Sequence, residues 1–401
     1  MKNTTKNIIY LVTIPAFCSV ICSSVLAQTP TSDLVPFRKG GKWGFCTSDK
    51  KELVKAEYDT VEPFIKGIGV GIKGANYTLI NGAGSTVLSS LDKVQVSTAD
   101  LIAVRKSGKW GFVYRDGKDA IPCMYDGAMP FAEGFAAVQQ TGKWGAIDAK
   151  GKTTVAFDYE DMRSFSNGLA AVKYNTRWGF VNTKGKLIVE TKYNVIADFQ
   201  GGLALVQQFG KRGFVNTEGK EIVPCTYSRA EPCSEGFVGV LNGTKWGFLD
   251  KNGNTKLDFQ FDNKVVGSFV GGMAPAAKDN KWGFIDPSGK WLIEPQYDSA
   301  SNFDGNGTAR ILQKGVWGLI NKSGKTVLTP QYTAIDTFQN GLARVKKGEN
   351  YGYIDATGRE VVPCKYADAQ SFEGNVAKVY RKEQDEATAL FVDVNGTEFG
   401  E

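Results

Sequence analysis

The sequence predicts an all-β tandem array of about eleven units, each of three strands and close to 34 residues. Three observations predict it. A Lys-Trp-Gly-Phe phrase recurs as Trp43-Gly44, Trp110-Gly111, Trp144-Gly145, Trp178-Gly179, Trp246-Gly247, Trp282-Gly283 and Trp317-Gly318, with weaker copies at Arg212-Gly213 and Tyr351-Gly352 and degenerate ones at Tyr77 and Ala389. Each phrase is followed by Asp or Asn, two residues and Gly, as in Asp148 to Gly151, Asn182 to Gly185 and Asp286 to Gly289. Apolar, β-branched runs flank both features, where a helical array would avoid so many glycines and turns.

Before the array comes a different kind of segment. Lys2 and Lys6 precede an apolar run over residues 8–26, and Val25-Leu26-Ala27 stands before Gln28. Residues 1–27 read as a cleavable secretory signal, with an uncleaved anchor helix as the alternative. Cys18 and Cys22 lack the small-residue context of a lipoprotein cysteine. Residues 28–35 form a short linker and residues 36–401 one repeat array, with no later stretch able to span a membrane.

Within a repeat, the copy at Trp282 serves as the template. Trp282, Phe284 and Ile285 make a central strand, with Trp and Phe on one face by the two-residue pleat. Gly283 between them weakens a strand intrinsically, so its recurrence implies close approach by another backbone or ring. Asp286-Pro287-Ser288-Gly289 is the chemistry of a type I turn closed by a left-handed glycine, leading to the Leu292-Ile293 strand. A second hairpin precedes each phrase, from runs such as Phe135 to Val138 through Gly142. A loop carrying Tyr-Asp and Phe, such as Tyr125-Asp126 to Phe131, then starts the next unit. Such units stack to complete a core, and an open, twisted, solenoid-like stack is expected, with propeller-like closure as the alternative because known propellers hold about 4–8 blades.

Composition narrows the chemistry. Without residues 1–27 the chain carries 46 Lys and Arg against 42 Asp and Glu, too mild and dispersed a balance to suggest nucleic acid. Histidine is absent, which excludes Ser-His-Asp and Cys-His catalysis and His-containing metal sites. Cys46, Cys123, Cys225, Cys233 and Cys364 all replace apolar residues of the repeat and read as buried thiols, Cys225 with Cys233 being the one local disulfide candidate.

The phrase Lys-Trp-Gly-Phe-Ile-Asp-x-x-Gly-Lys, followed by Pro-x-Tyr-Asp and Phe-x-x-Gly-Leu-Ala, resembles the WG-repeat (KWG) family over about residues 36–400. The resemblance implies β-rich repeats in bacterial, often exported proteins, and no reaction, cofactor or catalytic residue. Arg212 and Tyr351 in place of Trp depart from the pattern, and the copy at Ala389 reads as a terminal cap.

Four surface features bear on function. The Asp/Asn turns offer one oxygen side chain each, thin provision for a calcium ladder, so no metal is expected. Acids recur evenly rather than as one unequal pair, and Glu160-Asp161 and the Glu383, Asp385, Glu386 group read as solvated loops, so no catalytic residues are expected. Lys42, Lys109, Lys143, Arg177, Lys211, Lys245 and Lys281 precede the anchors and would form a basic stripe or simply a solvated rim. Trp291 stands where other units carry Glu52, Asp119, Thr153, Glu221, Thr255, Thr326 and Glu360, making it a stacking platform or a packing residue. The function expected is that of an exported, non-catalytic scaffold for a protein or glycan partner, without cofactor, with a carbohydrate-binding module using Trp291 as the alternative and a hydrolase as a weaker one.

Overall fold

A computed structural model describes residues 33–262, 266–383 and 386–400, without the side chains of 382–387. The expected signal segment with Cys18 and Cys22, residues 28–32 of the linker and the Glu383, Asp385, Glu386 side chains lie outside the described residues. The described chain is all strand and turn, in eleven small antiparallel sheets that match the eleven phrases one to one.

The fourth sheet shows how a repeat folds. Its leading strand Phe135–Gln140 turns through Thr141 and Gly142 into the anchor strand Lys143–Asp148, which pairs with the trailing strand Thr153–Tyr159. Both turn residues have positive φ (50° and 78°), the two-residue geometry whose twist matches the flanking strands. At the other end Asp148 Oδ1 accepts from the amides of Lys150 and Lys152, both at 2.9 Å, and Gly151 supplies φ 80°. The turn chemistry is therefore the reason for both the Asp and the Gly.

Tyr-Asp, read as a loop, is instead the crossing between sheets. The trailing strand Asp119–Tyr125 passes through Asp126 alone into a two-residue strand, Gly127–Ala128, that pairs with Gln139 and Val138 of the fourth sheet. Among the described residues nine of the eleven sheets thus have four strands, and the first (35–58) and eighth (274–297) have three. The three-strand expectation missed this strand because two residues show no alternation to read.

The anchor glycine sits where the trailing strand bulges against it. A Cβ on Gly145 would lie 2.6 Å from the Val155 carbonyl oxygen, and on Gly179 2.3 Å from that of Val189. No other residue fits there without moving backbone.

Cores form mainly between sheets. Ala137, Ala146 and Val155 of the fourth pack with Met162, Phe165, Ala170 and Val181 of the fifth. The same contact joins the two ends of the array: Leu34, Val35, Trp43 and Phe45 share one cluster with Val376, Phe391 and Phe399, and Trp43 meets Phe391 edge to face at 5.3 Å. The array is accordingly an eleven-bladed propeller arrangement, not the open stack expected. An open stack would leave both apolar end faces in water, and closure buries them against each other. The blade containing Ala389, read as a terminal cap, instead joins the first blade, since Ala389 itself packs on that shared cluster.

Candidate functional site

The crossings define one rim of the ring, where in four blades the anchor lysine and the next hairpin tip meet at the crossing residue. Lys42 Nζ donates to Asp59 Oδ1 at 2.5 Å, while Asp59 Oδ2 accepts from the Gly74 amide of the following hairpin at 2.7 Å. Lys109 and Asp126, Lys245 and Asp262 (2.8 Å), and Lys281 and Asp298 (2.6 Å) repeat the pair. Thr141, Asn280 and Lys314 amides donate to the same three carboxylates. The lysine hydrogen bond and the turn amide hold the Asp59, Asp126 and Asp262 carboxyls below the usual range. Four of the seven stripe cations are thus neutralised in a repeated latch.

Lys143, Arg177 and Lys211 are not. Their crossing residues are Glu160, Asn194 and Ser228. Glu160 accepts from the Thr176 amide at 3.0 Å and Asn194 from the Phe209 amide at 3.2 Å, which keeps the backbone half of the latch. Among the described residues these three cations have no hydrogen-bond or ion-pair partner. Beside Lys143 a groove of about 740 Å³ opens, lined also by Asp158, Tyr159, Tyr174, Leu187 and Thr191. Tyr174 is 45% exposed and Leu187 42%.

Phe209, a residue that the repeat pattern did not single out, is 83% exposed at the tip of the sixth hairpin. Its φ is 48°, a left-handed backbone that bulky side chains disfavour. Blades three and four put Ser107 and Thr141 in that place. The signal available in sequence was an aromatic residue before the turn glycine of the repeat that carries Arg212 in place of Trp. Arg212 itself is structural, donating to the Ala230 carbonyl of the next blade at 3.0 Å.

The structure places Trp291 in a second repeated contact. Tyr193 OH donates to Glu221 Oε2 at 3.0 Å and Tyr332 OH to Glu360 Oε2 at 3.3 Å, each from the end of one trailing strand to the start of the next. At the seventh and eighth blades the same two places hold Phe261 and Trp291, ring to ring at 6.2 Å and 85°. Trp291 is half-buried, part of its ring packed on the seventh-blade core. Its departure from the pattern answers the departure at Phe261.

The repeat residues Trp43, Trp110, Trp246 and Trp282 are buried, while Trp144, Trp178, Trp317 and Tyr351 are half-buried. Gly44, Gly111, Gly145, Gly179, Gly247, Gly283, Gly318 and Gly352 all lie within 3 Å, by a built Cβ, of trailing-strand backbone. Arg163 stacks over Trp178 at 5.0 Å and Arg229 over Trp246 at 5.6 Å, covering indole faces that would otherwise be open.

The disulfide between Cys225 and Cys233 is not formed. Cys225 Sγ points to the Val206 carbonyl at 3.8 Å and Cys233 Sγ to Gly201 at 3.7 Å, on different strands and loops of the preceding structure. Burial pushes the Cys46 and Cys364 thiols up to about 11. Among the described residues no group of three or more Cys, Asp or Glu side chains is placed to hold a metal ion, and no helix is long and apolar enough to cross a membrane.

The family model described as WG containing repeat matches the chain nine times, at residues 43–70, 110–144, 144–175, 178–211, 213–246, 246–282, 282–317, 317–351 and 351–382. A search of curated proteins gives no match. Among solved structures, a eukaryotic initiation factor is similar at 10% identity and TM-score 0.43, covering 91% of this chain and 94% of that one. BamB from Moraxella catarrhalis is similar at 13% identity and TM-score 0.33, over 64% and 90%. The WD40 beta propeller domain of Doa1 is similar at 13% identity and TM-score 0.28, over 56% and 90%. Scores this low carry no functional argument.

Proposed function

This chain belongs to the family of WG containing repeats, and from that premise we propose that it is an exported, non-catalytic scaffold that binds a protein or glycan partner. One observation carries the reading: the recurrent residues are spent on the interior, while variation falls on the rim. Trp, Gly, Phe and the turn Asp are consumed by cores, bulges and caps. The rim positions change from blade to blade, from a closed ion pair at Lys245 to an open cation at Lys143. A rigid frame with a variable rim suits recognition more than a single reaction centre. Export rests on the sequence of residues 1–27.

The test uses the protein lacking residues 1–27. Crosslinking in a native envelope extract, with a glycan panel alongside, should identify a saturable protein or glycan ligand. Turnover of a substrate by the purified protein, or failure of both assays to find any ligand, overturns the reading. The carbohydrate alternative centred on Trp291 has less support, because that ring is half-buried and in T-shaped contact with Phe261.

A further inference from the structure

We infer that the groove between the fourth and fifth blades takes an extended acidic peptide segment of a partner protein, paired to an open strand edge and held by Lys143 on its wall and by Arg177, the cross-strand partner of the groove residue Tyr174. The inference rests on the scaffold reading and names its site and the chemistry of the partner. Three independent features coincide there.

The first is charge. Lys143 and Arg177 have lost the crossing aspartate that neutralises their equivalents in the first, third, seventh and eighth blades. Residues 143–227, the fourth blade from its anchor strand on with the whole fifth and sixth, carry 12 Lys and Arg against 8 Asp and Glu. An acidic partner complements this sector, while Asp158 on the groove wall leaves room for only local contact by a polyanion.

The second is a strand edge without a guard. Each trailing strand is the outer member of its sheet, and an open edge of this kind pairs with any extended chain unless blocked. Proline, which cannot donate to a ladder, stands in this strand at Pro122, Pro224, Pro295, Pro330 and Pro363. The fourth and fifth trailing strands have Ala156-Phe157 and Glu190-Thr191 there instead. The first and seventh also lack proline, but their rim lysines are closed by Asp59 and Asp262. Among the lysine- or arginine-anchored blades, open edge and open cation coincide in the fourth and fifth.

The third is room with apolar walls. The groove of about 740 Å³ presents Tyr159, Tyr174, Leu187 and Thr191 alongside Lys143. In the fifth blade Leu187 replaces the glutamate that Tyr193 and Tyr332 find in their successors, so Tyr159 is left without that acceptor. A strand added at this edge would place alternate side chains against this wall and the others toward the cations, the recognition mode of β-augmentation.

The probe is a fluorescein-labelled peptide of about eight residues alternating Glu and Val, followed by anisotropy against the protein lacking residues 1–27. A Lys-Val peptide and polygalacturonate serve as comparisons. The expected result is saturable binding of the acidic peptide, weakened roughly tenfold or more by Lys143→Glu with Arg177→Glu. Glu190→Pro should weaken it as much. That substitution removes an acid, so charge alone would strengthen binding, and the third, sixth and tenth blades fold with proline in the same place. Melting temperature checks that each variant is folded.

Absence of saturable binding, equal binding of the Lys-Val peptide, or full affinity in Glu190→Pro overturns the proposal. Displacement by polygalacturonate together with an unaffected Glu190→Pro assigns the groove to a glycan and overturns it too. A crosslinked partner recovered equally by wild type and by Lys143→Glu with Arg177→Glu leaves the scaffold reading standing and this groove refuted. Loss of every ligand and partner refutes both.

Discussion

The junction of the seventh and eighth blades and that of the fourth and fifth start from equivalent anchor strands, Lys245–Asp250 and Lys143–Asp148, and end in opposite states. At the former, Lys245 is paired with Asp262, Asp262 also holds the Asn280 amide at 3.1 Å, and Phe261 meets the Trp291 ring. At the latter, Glu160 keeps the backbone bond to Thr176 at 3.0 Å but leaves Lys143 open, and Tyr159 and Leu187 line a groove. What the two junctions share is thus the backbone half of the latch and the buried cores. The side-chain half is free to vary, and where it varies the surface opens.

The anchor tryptophans should reproduce that contrast at the largest scale. Trp246 is fully buried, and Trp144, its equivalent beside the open groove, is half-buried. Trp246→Ala should cost about 3–5 kcal/mol and Trp144→Ala about half as much, read from urea unfolding midpoints. Trp246→Phe should recover much of the loss, because the buried Trp246 Nε1 has no hydrogen-bond partner to give up. Equal costs at the two sites would mean that the junctions do not differ in packing.

Phe261 and Trp291 test whether the closed junction is closed by their contact. Trp291→Ala should cost about 2 kcal/mol for a half-buried ring, with ligand binding unchanged. Trp291→Glu should destabilise the protein and Phe261→Tyr with Trp291→Glu should restore about 1 kcal/mol, by installing the pair seen at Tyr193 and Glu221. Additive effects in that cycle would refute the lock. Trp291 also shows what sequence could and could not deliver. Its break with the polar pattern was plain, Phe261 in a tyrosine position drew no notice, and only the structure placed the two against each other. The turns were readable because Asp-x-x-Gly dictates backbone locally. Ring closure was not, since it depends on small rotations summed over eleven blades that no single repeat encodes. The rim latch lay between, with Lys42 and Asp59 recurring seventeen residues apart in four blades but hidden in a segment taken for a loop.

The smallest effect concerns Phe209, next to the open sector. An aromatic side chain at φ 48° and 83% exposed carries backbone strain without burial to offset it. Asn tolerates the left-handed region, so Phe209→Asn should stabilise the fold by about 0.5–1 kcal/mol, a rise of roughly 1–2 °C in Tm for a domain this large. The same substitution separates two roles for the sixth hairpin. If Phe209 extends the binding surface beyond the fourth and fifth blades, the variant binds the acidic probe more weakly while melting higher. If its affinity is unchanged, the recognition surface ends at Arg177. A fall in Tm would show instead that the ring packs on its neighbours in solution, and the strain argument would be lost.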